Sequence, residues 1–325
     1  MAIMTLNPRL KDIAKDIFYY SGLSGILLSF SRHCRHPKFL ILMYHRICDS
    51  SHRDGYLGIP ADVFEQHVKF IKDNFKTVSM QDGLRALYED DSADIYATIN
   101  FDDGYMDNYL YAYPVLKKHN VPATIFLTTD FIGKEHIFWW DKVFKIISSS
   151  DINGIDKIQE VERINFSLRT KTDDEIEAMI QKLKERLRPS EEIKPVLMLG
   201  WKEIKEMEES GIDFGSHTKT HRNLCMLRDD EVLKELVESK REIEKRLDKE
   251  IIGFSYPFGI FDERVQRLVK KAGFKYARST LKGFNHKDAD RFLLTCIGGG
   301  PLLKTSFLAA RISVNSLKLN KGIYR

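Results

Sequence analysis

Two adjacent carboxylates and a pair of histidines carry the reactive chemistry of this sequence. Asp102-Asp103 ends an apolar, β-branched run (residues 96–101) that reads as a buried strand, and a glycine follows. Paired acids at the mouth of a strand are costly to desolvate unless a cation or a proton sits between them. About 115 residues on, His217-Thr218-Lys219-Thr220-His221 follows a second short apolar run, residues 212–215. One Asp and two His separated by three residues make a three-ligand set for a divalent metal with an open position. The spare carboxylate is then available as the general base of metal-assisted hydrolysis. Alone, Asp-Asp-Gly is a common turn and His-x-x-x-His a common solvated pair. Each placed directly after a strand, they suit an active site at the strand C-termini of a barrel.

The elements that must position these residues alternate. Strand-like runs fall at 39–46, 76–80, 96–101, 123–129, 212–216, 251–256 and 275–279. Amphipathic helices at 61–74, 81–88, 106–119, 201–210, 229–248 and 262–272 separate most of them. Strand–helix alternation implies a parallel sheet of class α/β, and seven units suggest a closed or nearly closed (β/α) barrel. An open doubly wound sheet is the alternative, but no G-x-G-x-x-G or P-loop is present. Residues 131–200 interrupt the spacing after the fourth strand and read as an insertion over one rim. It contains Trp139-Trp140, which would either stack on a sugar or anchor a helix to the core, and a charged helix near 173–188.

At 325 residues, 43% hydrophobic and 30% charged, the chain has the composition of a globular protein with an ample core. Its net charge of +4 is uneven: residues 1–38 carry +4, residues 302–325 carry +5, and the body between is acidic. Basic ends on an acidic body suit an anionic membrane leaflet better than nucleic acid, and no basic–aromatic interleaving suggests nucleic-acid binding. Residues 17–30 are apolar but shorter than the roughly 20 needed to span a bilayer. They read as an interfacial amphipathic helix with Lys11 and Lys15 on its polar side, or as a helix packed on the domain's own surface. Cys34, Cys48, Cys225 and Cys296 form no C-x-x-C pair, which disfavours a disulfide framework or thiolate zinc site. Cys225 reads as a buried small residue. A reducing, cytoplasmic setting is expected, with peripheral contact to the cytoplasmic membrane face. The divisions expected are 1–38, an N-terminal amphipathic helical segment; 39–298, the barrel; and 299–325, a basic helix or tail.

With the motifs placed, the chain resembles the polysaccharide deacetylase family (NodB-homology, carbohydrate esterase family 4). Asn100-Phe101-Asp102-Asp103-Gly104 is similar to the first family motif, T-F-D-D-G, with Asn100 in place of Thr. Gly215-Ser216-His217-Thr218-Lys219-Thr220-His221 resembles the second, G-S-H-T-x-x-H. Ser255-Tyr256-Pro257-Phe258-Gly259 resembles the third, R-x-P-Y-G. Leu42-Met43-Tyr44-His45 resembles the L-x-Y-H segment of a biofilm-polysaccharide N-deacetylase branch, where it replaces a C-terminal L-x-H motif. The likeness covers about residues 39–298.

The resemblance implies a distorted (β/α)7 barrel and zinc-dependent removal of an N-acetyl group from a sugar, in a glycan or a lipid-linked saccharide. It would place a divalent metal (Zn²⁺, or Co²⁺ or Ni²⁺) on Asp103, His217 and His221, with Asp102 as base and His45 as acid for the departing amine. Tyr256, Pro257 and Phe258 would line the substrate or donate to the oxyanion, beside Trp139 and Trp140. Ser255 stands where the family has a base-orienting arginine, and Arg278 and Arg291 are the candidates to replace it. The alternatives are amide or cyclic-imide hydrolysis on a small molecule, or a non-catalytic carbohydrate-binding relic.

Overall fold

The computed structural model describes residues 13, 15–17, 19–21, 38–50, 56–151, 156–298 and 304–316. Seven parallel strands close on themselves: β1 (Lys38–Tyr44), β2 (Ile95–Phe101), β3 (Ala123–Leu127), β4 (Asp213–Ser216), β5 (Gly253–Ser255), β6 (Tyr276–Lys282) and β7 (Leu294–Gly298). Each pairs with the next, and β1 bonds both β7 and β2 to seal the cylinder. β1 and β2 read as continuous apolar runs because barrel strands are covered on both faces. Side chains alternate along them. Ile41 and Phe126 join Tyr276 and Leu294 in the lumen, whereas Leu40, Leu42, Ile99 and Phe101 pack outward under the helices.

The helical layer comprises α1 (Ala61–Asn74), α2 (Met80–Glu89), α3 (Tyr113–His119), α4 (Trp139–Ser148), α5 (Lys157–Leu168), α6 (Asp173–Leu187), α7 (Trp201–Glu209), α8 (Asp229–Leu247), α9 (Glu263–Lys271) and α10 (Thr305–Ser316). The fold is the expected distorted (β/α)7 barrel, but two of the expected pieces change. Residues 76–80 supply only a two-residue strand, Lys76–Thr77, on the outer start of β2, because Ser79 accepts from Asp82 N–H and caps α2 from Met80 onward. The seventh barrel strand is instead β7, a five-residue run with a weak pattern of its own. The insertion accordingly follows the third barrel strand rather than the fourth. The helix expected over 106–119 is a π-helical turn (Asn108–Ala112) followed by α3. Pro114, at the start of α3, offers no N–H to the ladder and clashes with regular α geometry one turn back.

Within the insertion, α4, α5 and α6 share a core of their own around Val143, Ile147, Ile164, Ile180 and Leu183. A smaller cluster of Tyr105, Phe138, Trp140 and Met198 fixes it to the barrel mouth. Of the N-terminal segment, residues 13, 15–17, 19 and 20 are helical. Tyr19 packs edge-on against Phe70 of α1, and Asp16 binds Lys304 and Ser306 at the start of α10. Ile17 is 61% exposed; Phe18, Leu23, Ile26, Leu27 and Phe30 lie outside the described residues. Among the described residues no helix is long and apolar enough to cross a membrane. Cys225 is half-buried rather than buried, and Cys225 and Cys296 are free thiols.

Gly215 sits where β4 runs closest to its neighbours. A Cβ there would lie 2.6 Å from the Phe126 ring and 3.0 Å from the Gly253 carbonyl oxygen. Gly215→Ala should therefore destabilise the barrel by about 1–3 kcal/mol through overpacking, read as a lowered midpoint in urea or thermal unfolding. An unchanged midpoint would show that β4 can shift freely.

Candidate active site

Asp102 is the first residue beyond β2, and its N–H still donates to the Tyr44 carbonyl at 3.0 Å. It therefore continues the inward alternation of Thr98 and Asn100. In a regular strand Asp103 would point outward. Its backbone is instead left-handed (φ 76°), and Gly104 follows at φ 83°, so both carboxylates face one cavity. Seven described non-glycine residues have positive φ. Asn120, Arg188 and Asp248 cap helix C-termini; the other four are Asp103, Thr218, His221 and Phe258, all at this mouth. Such backbone persists where the surroundings hold it, and here it concentrates on the residues with reactive side chains.

The His217–His221 loop is held mainly from α8. His217 N–H donates to the Leu127 carbonyl (2.9 Å), and Ser216 Oγ lies 2.7 Å from Ser239 Oγ. Buried Glu235 accepts from Lys219 N–H (2.9 Å), Thr220 N–H (2.8 Å) and the Thr220 hydroxyl (2.6 Å), while His221 N–H donates to Thr218 Oγ1 (2.9 Å). The loop brings His217 Nε2 to 3.5 Å and His221 Nε2 to 3.3 Å from Asp103 Oδ1, and the two Nε2 atoms to 3.1 Å from each other. Asp103, His217 and His221 are all buried, with one ligand atom of each within 4.8 Å of the others.

These residues fit a divalent ion. Neither Asp103 oxygen receives an aligned hydrogen bond, although both are buried. His217 Nδ1 lies 2.8 Å from the Ser255 carbonyl, which can only accept, so Nδ1 carries the proton and Nε2 offers a lone pair to the cluster. Donors held ~2.1 Å from one tetrahedral ion stand ~3.4 Å apart, close to the spacing seen. Burial, outweighing the nearby carboxylates, pushes His217 down to about 4, so it is neutral near pH 7. Asp103 is also ionised: burial raises its carboxyl, but His221, His45 and His217 together hold it below the usual range.

Asp102 has a different partner. The Arg278 guanidinium, fully buried, donates from Nη2 to both Asp102 oxygens and, at 2.8 Å, to Ser255 Oγ. Ser255 and Arg278 are register partners on β5 and β6. The small serine leaves the space through which the arginine of the next strand reaches Asp102. Burial pushes the Asp102 carboxyl up, but Arg278, then His217 and His45, bring it down to about 2. Arg291 is exposed, stacks over Tyr88 at 4.2 Å, and takes no part in these contacts. His45, just beyond the neighbouring strand β1, places Nε2 4.0 Å from Asp102 Oδ2. The His45 carbonyl accepts from Asn108 Nδ2 (2.8 Å), a contact supplied by the π-helical turn and marked by no motif.

The third-motif residues divide. Tyr256 N–H is committed to the Arg278 carbonyl at 3.1 Å, and Pro257 has no N–H. Of the three, only Phe258 keeps a main-chain N–H available to an oxyanion, and its ring packs edge-on against His221 at 4.6 Å. The tryptophans also divide. Trp140 is buried; its Nε1–H donates to Tyr105 Oη (3.1 Å), whose hydroxyl donates to buried Asp141 (2.7 Å), and its ring lies 4.7 Å from His221. It anchors the insertion to the His217–His221 loop. Trp139 is half-buried and forms the cavity wall beside Phe258. Beneath them Arg46 binds Asp107 at 2.7 Å, yet burial still pushes Asp107 up to about 6.

A family model of polysaccharide deacetylases matches residues 89–277. YxkH of Bacillus subtilis, provisionally named a polysaccharide deacetylase, is 26% identical over 277 residues, 85% of this chain and 76% of that protein. The poly-β-1,6-N-acetyl-D-glucosamine N-deacetylase of Staphylococcus aureus is 23% identical over 264 residues, 74% of this chain and 71% of that one. Among solved structures, the deacetylase PplD of Streptococcus pyogenes, in complex with acetate, superimposes with a TM-score of 0.60 at 21% identity, covering 85% of this chain and 98% of that one. IcaB from Ammonifex degensii gives 0.60 at 17%, covering 87% and 100%. With the family model covering more than half of the sequence, the chain belongs to the polysaccharide deacetylase family and is a hydrolase of non-peptide carbon–nitrogen bonds.

Proposed function

We propose that the chain is a metal-dependent N-deacetylase that hydrolyses the acetamide of an N-acetylated amino sugar in a glycan or lipid-linked saccharide. One observation carries this reading. A three-ligand cluster (Asp103, His217, His221), a second carboxylate clamped by arginine (Asp102) and a histidine 4.0 Å from it (His45) line one cavity. Asp103, His217 and His221 would hold a divalent ion, which when bound would polarise the amide oxygen and acidify the attacking water. Asp102 takes the proton from the attacking water as its oxygen adds to the amide carbon, and Arg278 keeps the carboxylate ionised and fixed in orientation. Phe258 N–H is placed to donate to the developing oxyanion. His45 gives its proton to the amine nitrogen as the carbon–nitrogen bond breaks, leaving acetate and a free amino sugar. The name of the staphylococcal relative makes β-1,6-linked N-acetylglucosamine oligomers the first substrate to assay.

Adding zinc to metal-free protein should raise its melting temperature, because an ion that binds only the folded state stabilises it by mass action. Asp103→Ala should abolish both that rise and acetate release. A full zinc response in Asp103→Ala, by calorimetry and metal analysis, would place the ion elsewhere. Asp102→Asn should retain metal but lower turnover by about 10²–10⁴-fold, and His45→Ala should do so to a similar extent, as expected for positioned proton-transfer groups. Near-wild-type turnover in either variant would assign its role to another residue.

Arg278→Met tests the clamp through pH. With Arg278 in place the Asp102 carboxyl is held near 2, so the base is ionised throughout the working range. Without it, burial dominates and the carboxyl moves up. The acid limb of the kcat/KM profile should then shift to higher pH while zinc remains bound. An unmoved acid limb would mean that other groups keep Asp102 ionised.

A further inference from the structure

The active-site cavity, of about 270 Å³, is walled on one side by α5 of the insertion, which contributes Asn165 and Arg169. Asn165 is 2% exposed, and neither its Oδ1 nor its Nδ2 makes a hydrogen bond. The buried positions beside it on α5 are Val161, Ile164 and Leu168, so helix packing alone would be served by another aliphatic residue. A buried amide with four unused hydrogen-bonding sites is costly to keep. Among the described residues of the insertion it is the one side chain with unpartnered buried polar atoms that also borders the cavity containing Asp102, Asp103 and His45. Arg169, one turn on, lines the same wall and forms no ion pair among the described residues. Its carbonyl accepts from Asn223 Nδ2 at 2.8 Å, which ties the end of α5 to the loop carrying His221. The wall is thus fixed relative to the metal cluster.

We infer that Asn165 is a substrate-specificity residue, its amide both donating to and accepting from a hydroxyl of the saccharide whose acetamide is cleaved. An amide suits a hydroxyl because each offers a donor and an acceptor. This inference rests on the sugar deacetylase reading above and adds to it the source of saccharide selectivity: a residue outside the three motifs, delivered by the insertion.

The test compares acetate release by the full, zinc-loaded chain from N-acetylglucosamine oligomers and from para-nitroacetanilide, an acetamide with no sugar hydroxyls. Asn165→Leu keeps the branching and the number of side-chain heavy atoms while removing the polar atoms; Asn165→Ala removes them without added bulk. Both variants should raise KM for the oligomers roughly tenfold, the scale of one lost hydrogen bond to a neutral group, with kcat within about twofold. Kinetics on para-nitroacetanilide should be unchanged, and the Asn165→Leu melting temperature should equal or exceed that of the wild type. Wild-type KM for oligomers in both variants would overturn the assignment, as would parallel loss on both substrates, which marks a structural role. If the wild type cleaves para-nitroacetanilide but no oligosaccharide, the saccharide reading itself fails and the assignment falls with it.

Discussion

Burying two consecutive carboxylates at one barrel mouth is the constraint on which the rest of the site depends. Asp102 and Asp103 are 3% and 1% exposed, and neither charge can be left to water. A single cation between them would serve both only by sharing. The chain separates the two demands by turning the backbone left-handed at Asp103. The first carboxylate points across the lumen to Arg278, and the second points to His217 and His221. One charge is satisfied from within the sequence by a guanidinium that cannot deprotonate. The other is left facing two imidazole lone pairs, an arrangement that a divalent ion completes. The division also separates the proposed roles, because an arginine-bound carboxylate remains free to take a proton while a metal-bound one does not.

Holding this geometry requires rigid support from several directions. Glu235 on α8 satisfies the loop between the histidines, and the Tyr105–Asp141–Trp140 chain sets an indole against His221. The π-helical turn reaches His45 through Asn108. Each support binds main chain or a ring face and leaves the ligand atoms uncovered. The four left-handed residues of the mouth are therefore held by contacts from outside the cavity, as strained functional backbone must be.

Much of this was legible in the sequence because it rests on local pattern. Strand-ending Asp-Asp-Gly and the His-x-x-x-His spacing locate the reactive side chains, and alternation of strand and helix gives the barrel. What escaped reading depends on register between distant strands or on competition between neighbours. The strand at 76–80 was lost to Ser79, a cap whose preference for starting α2 outweighs the β-branched Thr77 and Val78 before it. β7 was missed because five residues closing a cylinder need only fit their neighbours, with no strong period of their own. Asn108 and Glu235 carry no motif; each matters through a hydrogen bond to main chain 63 or about 15 residues away.

Ser255 shows how register decides function. Read along the chain, it is a gap in the third motif, a serine where an arginine is expected. Across the sheet it sits directly opposite Arg278. A strand position vacated by a large side chain can be filled from the paired position of the next strand, since neighbouring strands lie only about 4.8 Å apart. The guanidinium then approaches Asp102 from β6 rather than β5, and Ser255 Oγ accepts one of its hydrogen bonds. The exchange needs a small residue on β5 and a cation at one register position on β6. Arg291 meets neither the register nor the burial requirement, so of the two arginines only Arg278 could make the contact. The same charge at the same point in space can thus come from a different point in the chain, which a motif written along one strand cannot express.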